Sequence, residues 1–226
     1  MTSTSSLTHN AYARLRTELL SSRLAPGEKL KIEDLCEKFS VGSSAVREAL
    51  SRLASEGLVV SEPQRGFRVA PLSLDSLRDL TDVRCKIEGL CLRGAIEKGD
   101  LEWQSQVVAA LHRLCNTPIV PDKTARNGTE NFAKVHAQFH DTLAAGCGSP
   151  WLMHLRQVLF TQSERYRWFA TAVAKEKRDL EKEHRDIAEA VLARDVNRSV
   201  ALMTEHLQKT ADIIIANAAA QTKSPS

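Results

Sequence analysis

The sequence predicts a mainly α protein in two parts: an N-terminal winged helix-turn-helix over residues 1–70 and a C-terminal all-α bundle of about six helices over residues 71–220. Three observations carry that prediction. Two amphipathic stretches flank a short break at Ser40-Val41-Gly42, and two strand-like runs follow directly. From Ser73 to about Ala220, apolar residues then recur at helical spacing with almost no strand signal.

Taken in order, a first helix is expected over about residues 8–22, closed by Leu24-Ala25-Pro26-Gly27-Glu28, where proline and glycine end it and turn the chain. Ile32, Leu35, Cys36 and Phe39 form the apolar stripe of a second helix, and Val46, Ala49, Leu50 and Leu53 that of a third. Between them Gly42 is expected to take a positive φ, and Ser43 or Ser44 to cap the third helix. With Val46, Leu50 and Leu53 inward, the outer N-terminal face of that helix carries Ser43, Ser44, Arg47, Glu48 and Ser51. A recognition helix presents that end to base edges and phosphates. Residues 57–61 and 67–70 read as two strands joined by Glu62-Pro63-Gln64-Arg65-Gly66, a wing that holds Arg65, Gly66 and Arg68 at or near its tip. Lys31, Arg65 and Arg68 are placed to meet phosphates. Arg52, also on the third helix, is a further candidate for DNA contact, with a solvated helix face as its competing and favoured use.

Beyond Pro71, helical periodicity runs through residues 73–98, 100–115, 129–145, 149–173, 176–193 and 196–219. The breaks are marked by Gly99-Asp100, by the Pro-containing stretch 116–128, by Gly146-Cys147-Gly148-Ser149-Pro150 and by Arg194-Asp195. The last residues, QTKSPS, read as a disordered tail.

Charge alone would not suggest nucleic acid, since the net charge is only +3 and residues 1–70 hold 10 Lys or Arg against 8 Asp or Glu. There is no apolar run long enough to span a membrane, and the polar start MTSTSSLTHN lacks the apolar core of a signal peptide, so a cytoplasmic protein is expected. Five singly scattered cysteines, an odd number without a CxxC pair, point to free thiols.

The histidines of the second part are its strongest chemical signal. His136 and His140 are four apart on one expected helix and so project from the same face one turn apart. His184 precedes Arg194 by 10 residues and His206 follows Asp195 by 11. Across an antiparallel hairpin each therefore stands roughly 15–17 Å from the turn, and the two converge.

The motifs APGEKL, VGSSAVREAL, RLASEGLV and RGFRV, covering about residues 8–70, resemble the N-terminal domain of GntR-type bacterial transcription regulators. Many members carry an arginine near the start of the recognition helix, where this chain has Ser43, so a bidentate guanine contact from that position is unavailable. Arg47, which matches a family arginine, is then expected to carry more of the recognition. Residues 74–210, through LTDVRCKIEGLCLRGA, VHAQFHDTLAAGCGSPWL and EHRDIAEAVLARDVNRSVALMTEHL, resemble the FCD-type effector domain of the FadR branch. That resemblance implies a homodimer on a palindromic double-stranded DNA operator and a metal held by an Asp and three histidines. His140, His184 and His206 match the three, and His136 stands at the Asp position.

That exchange leaves the site one unit more positive, which favours an anionic ligand at any open position. Nitrogen-rich coordination suits zinc, with nickel or copper as competitors. The resemblance further implies a small carboxylate effector, met by Arg84, which matches an arginine near the start of the family domain, and by Arg165 or Arg167. An Arg84–Glu88 ion pair at i,i+4 is the competing use of Arg84. The FH, AGCGS, WL, LF and RYR blocks also resemble a sub-branch controlling glutarate and γ-aminobutyrate catabolism, which makes glutarate the first ligand to consider. The whole reads as a repressor and not an enzyme, since no general base stands at a spacing such as HExxH. Three alternatives stay open: a helical metalloenzyme fused to a winged helix, a closed structural zinc site, and a DNA-binding protein without a ligand.

Overall fold

The computed structural model describes residues 4–118, 126–171 and 178–221. The chain divides into two compact units, one of Met1–Leu77 with Phe160–Thr171, the other of Arg78–Leu159 with Ala172–Ser226. The sequence places a single boundary near residue 70; the observed division also assigns the end of a distant helix to the first unit.

In the first unit α1 (Thr4–Leu20) packs on α3 (Ser43–Ser55), and α2 (Ile32–Phe39) packs on the same helix. The stripes read from the sequence are the buried ones. Leu35 and Phe39 of α2, and Val46, Ala49, Leu50 and Leu53 of α3, close a core with Leu15, Leu30 and Leu58. Three strands form one antiparallel sheet in the order β1 (Lys29–Leu30), β3 (Gly66–Val69), β2 (Val59–Glu62). Lys29 pairs with Arg68, and Val60 lies opposite Arg68 on the other side. The first strand escapes a sequence reading because two residues cannot display an alternation.

The turn between α2 and α3 corrects two expectations. Gly42 has φ −71 and ψ 159, ordinary extended backbone, and it occupies the N-cap position itself without a side-chain cap. Ser43 is the first helical residue. The left-handed residue is Ser40, at φ 55, whose backbone N–H returns to the carbonyls of Cys36 and Glu37 and so closes α2.

The end of α7 (Pro150–Thr171) belongs to this unit through three side chains. Thr161 Oγ1 accepts from Arg16 at 3.2 Å, Gln162 Nε2 donates to the Glu56 carbonyl at 2.7 Å, and Arg165 donates to the Ala70 carbonyl. Gly57 lies where a Cβ would stand 3.2 Å from Gln162 Nε2, and its φ of +70 suits glycine, so the junction of α3 and β2 is shaped to admit that amide.

The second unit contains α5 (Leu101–Cys115), α6 (Arg126–Ala145), α8 (Leu180–Leu192), α9 (Val196–Gln221) and most of α4 (Leu74–Lys98) and α7. These correspond to the six expected helical segments, of which residues 172–173 and 176–177 lie outside the described residues. Their core includes Leu92, Val107, Phe139, Leu143, Ile187, Val191 and Met203. The breaks have local causes. Asp100 caps α5 by accepting from the Trp103 N–H at 2.8 Å, and Trp103 lies so close over Gly99 that a Cβ there would come within 2.1 Å of its ring. Asp195 accepts from the Arg198 N–H at 3.0 Å, while Arg194 donates to the Ile96 and Gly99 carbonyls at 2.5 and 2.6 Å, covering the end of α4. The five cysteines are free. No helix among the described residues is long and apolar enough to cross a membrane. Residues 222–226 of the expected tail lie outside the described residues.

Candidate metal centre and nucleic-acid face

Two turns of α6 carry His136 and His140 on one face, and the α8–α9 hairpin brings His184 and His206 level with each other, as their nearly equal distances from Arg194-Asp195 require. All four converge. The ring centroids of His184 and His206 are 4.8 Å apart, those of His136 and His184 4.9 Å, and those of His140 and His206 5.2 Å. One nitrogen from each ring lies within 4.8 Å of those of the others, and every ring is buried. His140 Nε2 faces His136 Nε2 at 3.2 Å. Two nitrogens bound to one zinc at about 2.0–2.1 Å stand roughly 3.3 Å apart in tetrahedral geometry, so this pair already has the spacing of two ligands of one ion.

Chemistry as well as spacing fits a metal. His184 bonds the Leu180 backbone, and its Nε2 is buried with no hydrogen-bond partner among the described residues. A buried polar atom left in that state is costly unless something is coordinated there. Burial holds His140 well below the usual imidazole range, and the neighbouring histidines push it the same way. His184 is lowered to about 3 by burial and then by His206. His206 is lowered by burial, against the pull of Glu183. These rings are therefore neutral at pH 7, with lone pairs free to bind. Phe132 and Phe139 pack against the rings and keep their surroundings apolar.

Behind His206 stands a pair of residues that sequence reasoning missed. Its Nδ1 lies 2.8 Å from Glu183 Oε2, and Arg178 grips the same carboxylate from Nε at 2.8 Å and Nη2 at 2.5 Å. Burial works to raise the Glu183 pKa, yet the hydrogen bonds from His206 and Arg178 hold it at about 2.

On the first unit, Ser43, Ser44, Arg47, Glu48 and Ser51 are all exposed, on the face of α3 opposite Val46, Leu50 and Leu53. Lys31, at the N-cap of α2, is exposed and 4.0 Å from Asp34. Arg65 is exposed in the β2–β3 turn beside Gly66, whose φ is +91. Two expected contacts are otherwise occupied. Arg68 bonds Glu62 at 3.1 Å and the Gly27 carbonyl at 3.3 Å, stapling the sheet. Arg52 stacks 3.9 Å over the Tyr12 ring and lies 3.7 Å from Glu56.

Residues 7–69 match the gntR family of bacterial regulatory proteins, and residues 79–209 match the FCD domain. The chain belongs to the GntR family. It is 34% identical over 209 residues to the HTH-type transcriptional repressor GlaR of Escherichia coli K12, covering 91% of this chain and 94% of that one. It is 35% identical over 212 residues to the uncharacterized HTH-type transcriptional regulator BphR of Paraburkholderia xenovorans LB400, covering 92% and 85%. Among solved structures, E. coli McbR/YncC superposes with a TM-score of 0.74 at 20% identity, over 93% of this chain and 97% of that one, a likeness of fold.

In this GntR-family regulator the arginines expected to meet a ligand belong to different units and have different partners. Arg84, on α4, is buried, its Nε 3.6 Å from Glu88 Oε1, and its charge is felt by His140 and His206. Arg165 is in the first unit, where its guanidinium serves the Ala70 carbonyl and Gln162 Oε1. Arg167 pairs with Glu164 at 2.8 Å. Sequence reading also passed over Arg156, fully buried on α7 and ion-paired with Glu88 at 2.8 Å and with Asp141. Glu88 thus stands between two arginines, one of them beside the histidines.

Proposed function

We propose that this regulator is a repressor that binds a palindromic operator as a homodimer and is released by a small carboxylate at a metal ion held by His136, His140, His184 and His206. The buried cluster of four imidazoles carries this reading. Zinc suits such a donor set, with nickel as the competitor. When bound, the ion supplies a Lewis-acidic positive charge that four neutral ligands leave uncompensated, which attracts a carboxylate. Arg84, buried and electrostatically coupled to His140 and His206, is the arginine proposed to share that anion. Resemblance to regulators of glutarate and γ-aminobutyrate catabolism makes glutarate the first probe.

On the DNA side, Ser43, Ser44 and Arg47 are proposed to read base edges, and Lys31, Arg65 and the Gly66 backbone to meet phosphates, with Arg47 foremost. Arg52 and Arg68 act on DNA indirectly, by holding α3 against α1 and the sheet together. A dimer is supported by the exposed stripe Trp151, Leu155 and Val158 on α7, which a second copy would cover. Release requires that the carboxylate prefer the arrangement that does not fit the operator, and the coupling is reciprocal.

The burial of all four histidines also favours a second reading, a closed structural zinc site. One experiment separates the two. Binding of the full chain to DNA from its own upstream region is followed by fluorescence anisotropy, with short mono- and dicarboxylates added in the presence and absence of zinc. Release by a carboxylate only in the zinc-loaded protein supports the ligand site. An identical release from the His140→Ala/His184→Ala variant refutes it, and zinc binding with no release by any acid favours the structural site.

A further inference from the structure

His206 is held differently from the other three histidines. A carboxylate at neutral pH can only accept hydrogen bonds, so with Glu183 Oε2 2.8 Å from Nδ1 the ring proton must sit on Nδ1. A neutral imidazole carries one N–H and one lone pair, and the lone pair is then on Nε2. Arg178 Nη2 also lies 3.3 Å from Nδ1, but two donors cannot bond each other, and both converge on Glu183. We infer that Glu183 is a positioning residue of the centre: it fixes His206 as the Nδ1–H tautomer and leaves the Nε2 lone pair for the metal, while Arg178 holds the carboxylate in place.

The local sequence explains the arrangement. Side chains of consecutive helical residues leave the axis about 100° apart, so Glu183 and His184 cannot serve the same point. His184 joins the cluster, and Glu183 reaches across the hairpin to the back of His206. Arg178, just before α8, closes the assembly. It grips the carboxylate through two nitrogens, donates to the His206 carbonyl at 2.9 Å and reaches Thr210 Oγ1 at 2.8 Å. Thr210 in turn donates to the same carbonyl at 2.9 Å, so the turn of α9 that bears His206 is fixed at both backbone and ring. A donor set of four neutral nitrogens thereby gains a negative charge directly behind one ligand, which raises that ligand's basicity.

The use of this pair rests on the metal reading, whereas the proton position does not. Full-length protein labelled with 15N-histidine, examined metal-free at pH 7.5 by long-range 1H–15N correlation, should show His206 protonated on Nδ1 and bare on Nε2. The same spectrum with Nε2 protonated would overturn the assignment without any variant. Zinc affinity is then measured by chelator competition. Glu183→Ala should raise the dissociation constant about 10–100-fold. Glu183→Gln, which keeps an acceptor but no charge, should fall between it and the parent. Wild-type affinity in both variants overturns the proposal. A purely structural role would lower the melting temperature of the metal-free protein without moving the His206 proton. If the parent takes up no zinc while His206 still carries its proton on Nδ1, the metal reading fails and the tautomer assignment stands.

Discussion

Metal-free protein should lose stability on mild acidification, in a pH range set by the buried histidines. The unfolded-state reference for an imidazole is about 6.5, and His184 lies at about 3 in the folded protein, with His140 also well below its usual range. Because the folded pKa values are depressed, the unfolded chain binds more protons below pH 6.5. Stability is therefore complete above that value and is lost as pH falls toward the folded pKa. Between pH 7.5 and 5.5 His184 costs RT ln(11/1.1), which is RT ln 10 or about 1.4 kcal/mol, and His140 and His206 act in the same direction. Glu183 does not contribute in this window. Its pKa moves from 4.5 to about 2, so its stabilisation persists down to pH 4.5 and is lost only below it. The assay is urea denaturation at the two pH values, in chelator, for the parent and for His184→Leu, which should lose about 1.4 kcal/mol of the parent's pH dependence. Equal parent stability at pH 7.5 and 5.5 would refute the reasoning, because it would mean that the rings titrate normally and are solvated.

Three further outcomes are expected. Arg47→Ala should weaken specific operator binding by about 1–3 kcal/mol, roughly 5–150-fold, while Arg52→Ala, whose guanidinium lies over Tyr12, should change it by less than about 3-fold; an anisotropy titration with the order reversed would displace Arg47 from its role. Arg156→Ala leaves the buried Glu88 with Arg84 alone and should cost about 3 kcal/mol, read as a fall in melting temperature of roughly 6–12 °C; an unchanged midpoint would show that the pair is energetically neutral. Trp151, 77% exposed, and Leu155 should both matter for self-association, so Trp151→Glu/Leu155→Glu should sediment as a monomer; a persistent dimer places the interface elsewhere.

Where the fold was legible in the sequence, periodicity was the signal. Val46, Ala49, Leu50 and Leu53 repeat at helical spacing because one face of α3 is buried, and each of them is. What stayed hidden did so for reasons of scale or distance. Lys29–Leu30 is too short to show a strand period. The positive φ at Ser40 serves the closing hydrogen bonds of α2, and glycine two residues on drew the expectation away from it. The assignment of Phe160–Thr171 to the first unit follows from Thr161, Gln162 and Arg165 meeting Arg16, Glu56 and Ala70, contacts across 95 to 145 residues that no local pattern encodes.

The histidine cluster was legible for the same reason that its support was not. His136 and His140 are related by helix geometry, and His184 and His206 by their equal distances from a turn, so spacing alone predicts convergence. Glu183 and Arg178 obey neither rule. Arg178 lies outside α8 and Glu183 inside it, so no helical period relates them, and a glutamate next to a histidine reads as an exposed residue of an amphipathic helix. A signal was nevertheless present. Once hairpin register sets His184 level with His206, the residue beside His184 must approach the flank of His206 or point to solvent, and only an acceptor can use that approach to fix a ring proton. Glu183 is such a residue. Extending the register from the clustered nitrogens to the nitrogen behind each ring would have identified it, and the same extension makes the His206 proton, more than any distance within the cluster, the sharpest test of how this cluster is built.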